Sequence, residues 1–370
     1  MPNAQFSMPN AQFPVLYIAI TNHGFGHAVR AGSVAAEIQK LNPEIKLILA
    51  TTAPAWLLEN YVSGNFEIRS RAFDVGVIQS DSLKMDKTAT LDKLREIRSN
   101  QDKIIAEEVN FIRDRQVGLI LADIPPLAAP LAKAAGIPCW MIGNFGWDFI
   151  YRPWGGDFEE MADWIEDCFS KCDRLFRLPL HEPMSAFPNI IDVGLTGGNP
   201  RYSREHMQAR WGLTAPKEKT ILLTFGGLGL EAMPYGNMSR FPDWQFIVFD
   251  DGAPDLPNLI KAQGKDYRPV DFMPVCDRVI SKPGYSTFAE ALRLEIPIIS
   301  ITREGFAESP LLLEGIQDYA YHQILSESEF FQGNWEFLHQ EAKPPRRSQS
   351  LNKNGSEAIA RAVVSYFQPG

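Results

Sequence analysis

Short, unbroken apolar runs alternate with helically spaced ones along almost the whole chain. Val15–Ile20 (VLYIAI) has no polar alternation, which predicts a strand buried on both faces. Residues 28–41 follow with Val29, Val34, Ile38 and Leu41 at helical spacing. Further strands are predicted over 46–51, 117–122, 137–143 and 174–178, with a long polar-faced helix over 88–113. A turn-rich stretch at 194–200 (GLTGGNP) reads as a linker, and the pattern then restarts. A helix near 203–211 precedes strands at 220–225, 244–249, 278–280 and 297–301, with helices at 286–294 and 310–317. A last amphipathic helix, 357–367, sets Ile359, Ala362, Val363 and Phe367 on one side, beyond a PPRRSQS spacer at 344–350. Strands alternating with helices imply parallel sheets covered on both faces. Two such units predict an α/β chain of two Rossmann-like domains facing a cleft: 14–196, then 197–345, then a C-terminal helical region at 346–370. Ligands of such sheets bind beyond the carboxyl ends of the strands, here after Ile20, Ala122, Gly143, Phe225, Ile280 and Ile301. The opening repeats MPNAQF at 1–6 and 8–13, polar and Pro-containing, and is expected to be a disordered leader without chemistry.

Composition narrows the function classes. A chain of 370 residues with 45% apolar content can bury two full cores, and its 22% charged residues rule out disorder throughout. The net charge is −9 with no basic block, which argues against a dedicated binder of nucleic acid or anionic membrane. Four cysteines are too few for a disulfide framework. Cys168 and Cys172, four apart with no second pair, read as one face of a helix rather than as zinc ligands. No apolar stretch approaches a membrane span, and the N-terminus lacks the order of a signal peptide, so a cytoplasmic protein is expected.

Five stretches could carry chemistry. The loop Asn22-His23-Gly24-Phe25-Gly26-His27 lies between the first strand and helix, where glycines let a ligand approach and the helix start favours anions. It is no dinucleotide fingerprint, because Val29 stands at the third glycine position and no acid ends the second strand. His27 there suits a general base; His23 either shares that work or packs. Gly226, Gly227, Leu228 and Gly229 form the matching loop of the second unit, either a diphosphate cradle or a tight turn. In Ser281-Lys282-Pro283-Gly284-Tyr285-Ser286-Thr287-Phe288-Ala289-Glu290, Ser286 and Thr287 can offer donors to phosphate at a helix start. Glu290 is either the acid of a Thr287 capping box or a carboxylate accepting ribose hydroxyls. In 302–310, Ser309 and Pro310 read as N-cap and first helical position. Arg303 then suits phosphate and Glu308 sugar hydroxyls, unless the two are a solvated charge pair. Finally, Asn144-Phe145-Gly146-Trp147-Asp148-Phe149 leaves a strand directly, its aromatics placed either to stack on an acceptor or to fill the domain junction. Asp81 and Asp123, on loops, could orient an imidazole or bind an acceptor.

Together these residues resemble the two-domain GT-B glycosyltransferases, in the branch that includes the lipid II-forming N-acetylglucosaminyltransferase, and more closely the amino-terminal glycosyltransferase-like region of L-arabinokinases. The resemblance rests on His23-Gly24-Phe25-Gly26-His27-Ala28-x-Arg30, Asn144-Phe145-x-Trp147-Asp148-Phe149-Ile150-Tyr151 and Phe225-Gly226-Gly227. It continues in Lys282-x-Gly284-Tyr285-x-Thr287-x-x-Glu290-Ala291-Leu292, Arg303 and Phe306-x-Glu308-x-Pro310. Arabinokinases continue into a sugar-kinase domain; no G-x-x-x-x-G-K-[ST] loop occurs here, so sugar kinase activity is not implied. Ser286 stands where that family usually has glycine.

The resemblance implies a GT-B fold whose C-terminal helix packs back toward the first domain, and a nucleotide-sugar donor held mainly by the second half. Gly24, Gly26, Gly226, Gly227, Lys282, Gly284, Ser286, Thr287, Glu290, Arg303 and Glu308 would then face the donor, with Glu290 on the ribose and Glu308 on the sugar. His23, Asp81, Asp123, Trp147 and Asp148 would lie on the acceptor side, with His27 as base. The expected reaction moves a hexosyl group from a UDP-sugar or other nucleotide sugar to an acceptor hydroxyl, without metal or further cofactor, since no Asp-x-Asp occurs. A lipid acceptor would bring peripheral membrane contact; no nucleic-acid partner is expected. A non-catalytic nucleotide-sugar sensor, or a UDP-sugar epimerase or hydrolase, are the alternatives on the same scaffold.

Overall fold

The alternating pattern folds into two all-parallel sheets. The computed structural model describes residues 14–368; the leader expected at 1–13 lies outside them. The front sheet comprises β1 (Val15–Ile20), β2 (Lys46–Ala50), β3 (Phe66–Arg69), β4 (Leu119–Asp123), β5 (Cys139–Gly143), β6 (Arg174–Arg177) and β7 (Ile190–Asp192), in the order β3-β2-β1-β4-β5-β6-β7. The rear sheet comprises β8 (Thr220–Leu223), β9 (Gln245–Val248), β10 (Leu259–Lys261), β11 (Arg278–Ser281), β12 (Ile298–Ile301) and β13 (His322–Leu325), in the order β10-β9-β8-β11-β12-β13. Each sheet reverses its winding at its first strand, which opens a crevice at that strand's carboxyl end. Ile20 pairs beside Asp123 at the end of β1 and β4, so the loops leaving these two strands share one site.

The apolar runs are the central strands. Leu16, Tyr17 and Ile18 on β1 are almost fully buried, and each such side chain contributes about 1.5–3 kcal/mol relative to exposure. The sequence pattern does not predict β3, β7, β10 or β13. These are the four edge strands, only three or four residues long; β3, β7 and β10 lack continuous burial, and β13 buries the polar His322 and Gln323, so none writes an apolar run.

Other expectations need correction. The helix expected over 88–113 is two, Lys87–Ser99 and Gln101–Asp114, broken at Asn100, whose side-chain amide donates to the Glu96 carbonyl at 2.8 Å. Cys168 lies in the last turn of the helix Asp157–Phe169 and Cys172 beyond it, so they share no helix face; the Cys172 thiol donates to the Arg174 carbonyl. All four cysteines are free and buried. Ser309 is not an N-cap: the helix Glu308–Tyr319 begins two residues before the expected Pro310, with Ala307 at the N-cap, and the Ser309 hydroxyl is buried without a partner.

The helix Gly355–Phe367 returns across the molecule to pack on the helix Gly26–Leu41, burying Ile359, Val363 and Phe367. Ser356 lies 3.3 Å from Ser33, and the Tyr366 hydroxyl donates to the Gly118 carbonyl at 3.0 Å. The start of this helix lies so close to the interlobe linker that a Cβ on Gly355 would fall 2.0 Å from the Gly194 carbonyl oxygen, so no side chain fits there. Among the described residues, no helix is long and apolar enough to cross a membrane.

Candidate active site between the lobes

A cleft with about 780 Å³ of open space lies between the carboxyl ends of the two sheets. From the front come Gly24, Gly26, His23 and His27; from the rear come Gly226, Gly227, Lys282, Gly284, Ser286, Thr287, Arg303 and Glu308. The lobes meet closely: a Cβ on Gly227 would sit 2.5 Å from the Phe25 ring. That position takes a larger residue only if the Phe25 ring turns away or the lobes part.

On the front side, His27 opens the helix Gly26–Leu41, and its Nδ1 lies 2.6 Å from Asp123 Oδ1. Asp123 is the last residue of β4 and is fully buried. One helical turn after His27, Arg30 donates from Nε to Asp123 Oδ2 at 2.6 Å and from Nη1 to Asn144 Oδ1 at 2.9 Å. Asn144 in turn donates to Glu308 Oε1 at 2.8 Å, carrying the network into the rear lobe. Burial opposes the charge on Asp123, but Arg30 and His27 outweigh it and hold the carboxyl below its ordinary range. Both the Asp123 carboxylate and Arg30 Nη2, the latter at 3.0 Å, meet His27 Nδ1; with the proton on Nδ1 donating to Asp123, the Nε2 lone pair is left free.

His23 is placed differently. Its Nδ1 sits 3.2 Å from both the amide and the carbonyl of Val77, and its ring stacks on Phe306. Burial, with His27 and the cations Arg303 and Lys282, drives its pKa well below the imidazole range, so the ring is neutral.

Three acceptor-side expectations are not met in the cleft. The Asp81 Oδ1 accepts the amides of Leu83 and Lys84, each at 2.8 Å; this carboxylate organises a front-lobe loop, beside which Ser82 bonds the Phe225 carbonyl. Trp147 is fully buried, donates to Thr21 Oγ1 at 2.9 Å, and backs His23 rather than facing the cleft. Asp148 is also turned inward, where burial and the neighbouring Glu182 push its carboxyl up to about 7.

On the rear side, the helix Tyr285–Leu294 starts at Gly284 with no side-chain cap, and its first turn lines the cleft. The Ser286 hydroxyl is already engaged, donating to the Gly26 carbonyl at 2.7 Å, so Ser286 ties the lobes together. Lys282 is pushed down to about 7 by burial and then by Arg303. Arg303 lies with its guanidinium 4.0 Å above the Phe306 ring.

Glu290 is a correction on both earlier counts. It neither caps the helix nor lines the cleft; it is buried under the interlobe linker, accepting from the Gly198 amide at 2.9 Å and the Tyr61 hydroxyl at 3.3 Å. Burial lifts its carboxyl to about 7. An acid whose folded pKa is raised costs stability progressively as pH climbs from its ordinary value to the folded one. Glu290→Gln therefore raises the melting temperature at pH 8 and leaves it nearly unchanged at pH 5; calorimetry showing equal shifts at both would refute this.

Sequence reasoning named Arg30 and Asn144 only within motifs, without a role, and missed Tyr61. Arg30 stands at i+3 from His27, a spacing that puts both on one helix face, but nothing in the sequence says that the face points inward.

No family model matches the chain. It is 30% identical to the L-arabinokinase of Arabidopsis thaliana over 332 residues, 85% of this chain but 31% of that protein, so it spans about a third of the curated relative it matches. Among solved structures, the Medicago truncatula UGT71G1 complexed with UDP-glucose aligns with a TM-score of 0.58 over 97% of this chain and 95% of that one, at 10% identity. Os79 from O. sativa, in complex with U2F and trichothecene, aligns at 0.60 over 95% and 100%, at 12% identity. The spinosyn rhamnosyltransferase SpnG aligns at 0.60 over 95% of each chain, also at 12%. The fold is that of the GT-B glycosyltransferases. In GT-B terms, the front sheet with the returning C-terminal helix is the first Rossmann-like lobe, and the rear sheet is the second.

Proposed function

We propose that the chain transfers a hexosyl group from a UDP-sugar, or another nucleotide sugar, to an acceptor hydroxyl. The observation that carries this reading is the His27–Asp123 pair facing, across one cleft, an uncapped helix N-terminus with Lys282 beside it. UDP-glucose in the similar UGT71G1 adds support. The front lobe, 14–196, takes the acceptor and the rear lobe, 197–345, the donor. The diphosphate lies against the loop at Gly226 and Gly227 and the amides of Ser286 and Thr287, where the helix dipole and Lys282 stabilise negative charge. Glu308, held by Asn144, faces the sugar.

In the reaction, His27 Nε2 takes the acceptor proton as the acceptor oxygen bonds to the anomeric carbon. The bond from that carbon to the diphosphate oxygen breaks, and the electron pair leaves with the diphosphate. Attack opposite the leaving group inverts the anomeric configuration. The positive charge at the leaving group comes from Lys282 and the helix amides, so the step proceeds without a metal. Four free buried thiols support a reducing, cytoplasmic setting.

A thermal-shift screen of UDP-, GDP- and TDP-sugars tests donor binding. A true donor at 100 times its dissociation constant adds about 2.7 kcal/mol of stability, and mass spectrometry over an acceptor panel then shows a glycosylated product. Absence of any shift ends the nucleotide-sugar reading. A shift with no product from any acceptor makes the protein a sensor.

A further inference from the structure

Two cations on rear-lobe loops enter the cleft, Lys282 after β11 and Arg303 after β12. Lys282 stands beside the first turn of the helix Tyr285–Leu294, which suits a diphosphate. Arg303 is built for something else. It is only 5% exposed, yet its Nε and Nη2 have no hydrogen-bond partner. Glu308, whose charge reaches it, gives Oε1 to Asn144, and among the described residues no ion pair joins Glu308 to Arg303. Buried donors left unmade are costly unless a ligand completes them.

The two free donors lie on one edge of the planar guanidinium, the edge that grips both oxygens of a carboxylate in parallel. Phe306 under the guanidinium, at 4.0 Å, holds that plane. The same Phe306 ring stacks on His23, in the loop that carries His27, so the fork lies toward the reacting sugar rather than the nucleotide. We propose that Arg303 receives a carboxylate of the substrate, most simply that of a hexuronic acid carried by the donor nucleotide. This rests on the nucleotide-sugar reading above and adds to it the class of sugar.

Calorimetric titration of the full chain with UDP, UDP-glucose and UDP-glucuronic acid tests it, together with free glucuronate added to the protein with and without UDP. The expected result is at least tenfold tighter binding of UDP-glucuronic acid than of UDP-glucose. Arg303→Gln erases that preference while UDP itself binds within threefold of wild type. Arg303→Lys, which keeps the charge without the fork, retains a minor part of it and decides the matter if the glutamine variant fails to fold. Equal binding of the two sugars with no binding of glucuronate overturns the proposal, as does a tenfold loss of UDP affinity in Arg303→Gln, which would assign the fork to the diphosphate. Glucuronate binding that depends on Arg303, without a donor preference, keeps the carboxylate site but moves it to the acceptor. Failure of wild type to bind UDP removes the nucleotide-sugar reading itself, and Arg303-dependent binding of glucuronate alone still decides the site.

Discussion

His27→Ala lowers turnover by about 10²–10⁴-fold, the usual contribution of a positioned general base, while donor affinity stays within a few-fold of wild type. The separation follows from the site's layout. His27 stands on the front lobe with Nδ1 committed to Asp123, whereas the groups assigned to the donor stand on rear-lobe loops. Steady-state kinetics with donor titration checks both halves. Turnover that survives the substitution removes His27 from the chemistry; parallel loss of donor affinity makes it a binding residue instead.

Asp123→Ala is expected to be the most destabilising single change in the site, by about 3–5 kcal/mol. The variant strands the guanidinium of Arg30, which is 2% exposed, with Asn144 as its remaining polar partner apart from His27. Denaturant unfolding measures the loss, and a change under about 1 kcal/mol would show that the pair is incidental. The effect has a definite pH dependence. Because the Asp123 carboxyl is held below its ordinary value in the fold, its contribution is present above about pH 3.9 and is lost as pH falls through the folded value. The gap between wild type and variant therefore closes in acid and stays open near neutrality. Turnover falls with stability, since the imidazole loses the partner that orients it.

The two substitutions address adjacent links at one end of a buried chain running from His27 through Asp123, Arg30 and Asn144 to Glu308. That chain links the proposed base to the proposed sugar contact and crosses from one lobe to the other. Ser286, bonded to the Gly26 carbonyl, adds a second tie across the same cleft.

Much of this molecule was written along the chain. Central strands such as Val15–Ile20 and Thr220–Leu223 are buried on both faces, so nearly every residue is apolar and the run announces itself. Loops that follow such strands carry the cleft, which is why His27, Gly227, Lys282, Thr287, Arg303 and Glu308 could be singled out from position alone. The direction of a side chain on a short helix is another matter. Asp148 and Trp147 follow a strand as a ligand-binding residue should, yet packing beneath the front sheet turns them inward. Glu290 and Tyr61, 229 residues apart, meet only because the linker folds the lobes together. The sequence by itself determined two parallel sheets and the loops at their carboxyl ends, because burial on both faces leaves a local pattern. Only the tertiary structure decided which polar groups on those loops pair with each other and which remain open to a ligand, because that depends on contacts between residues distant in the chain.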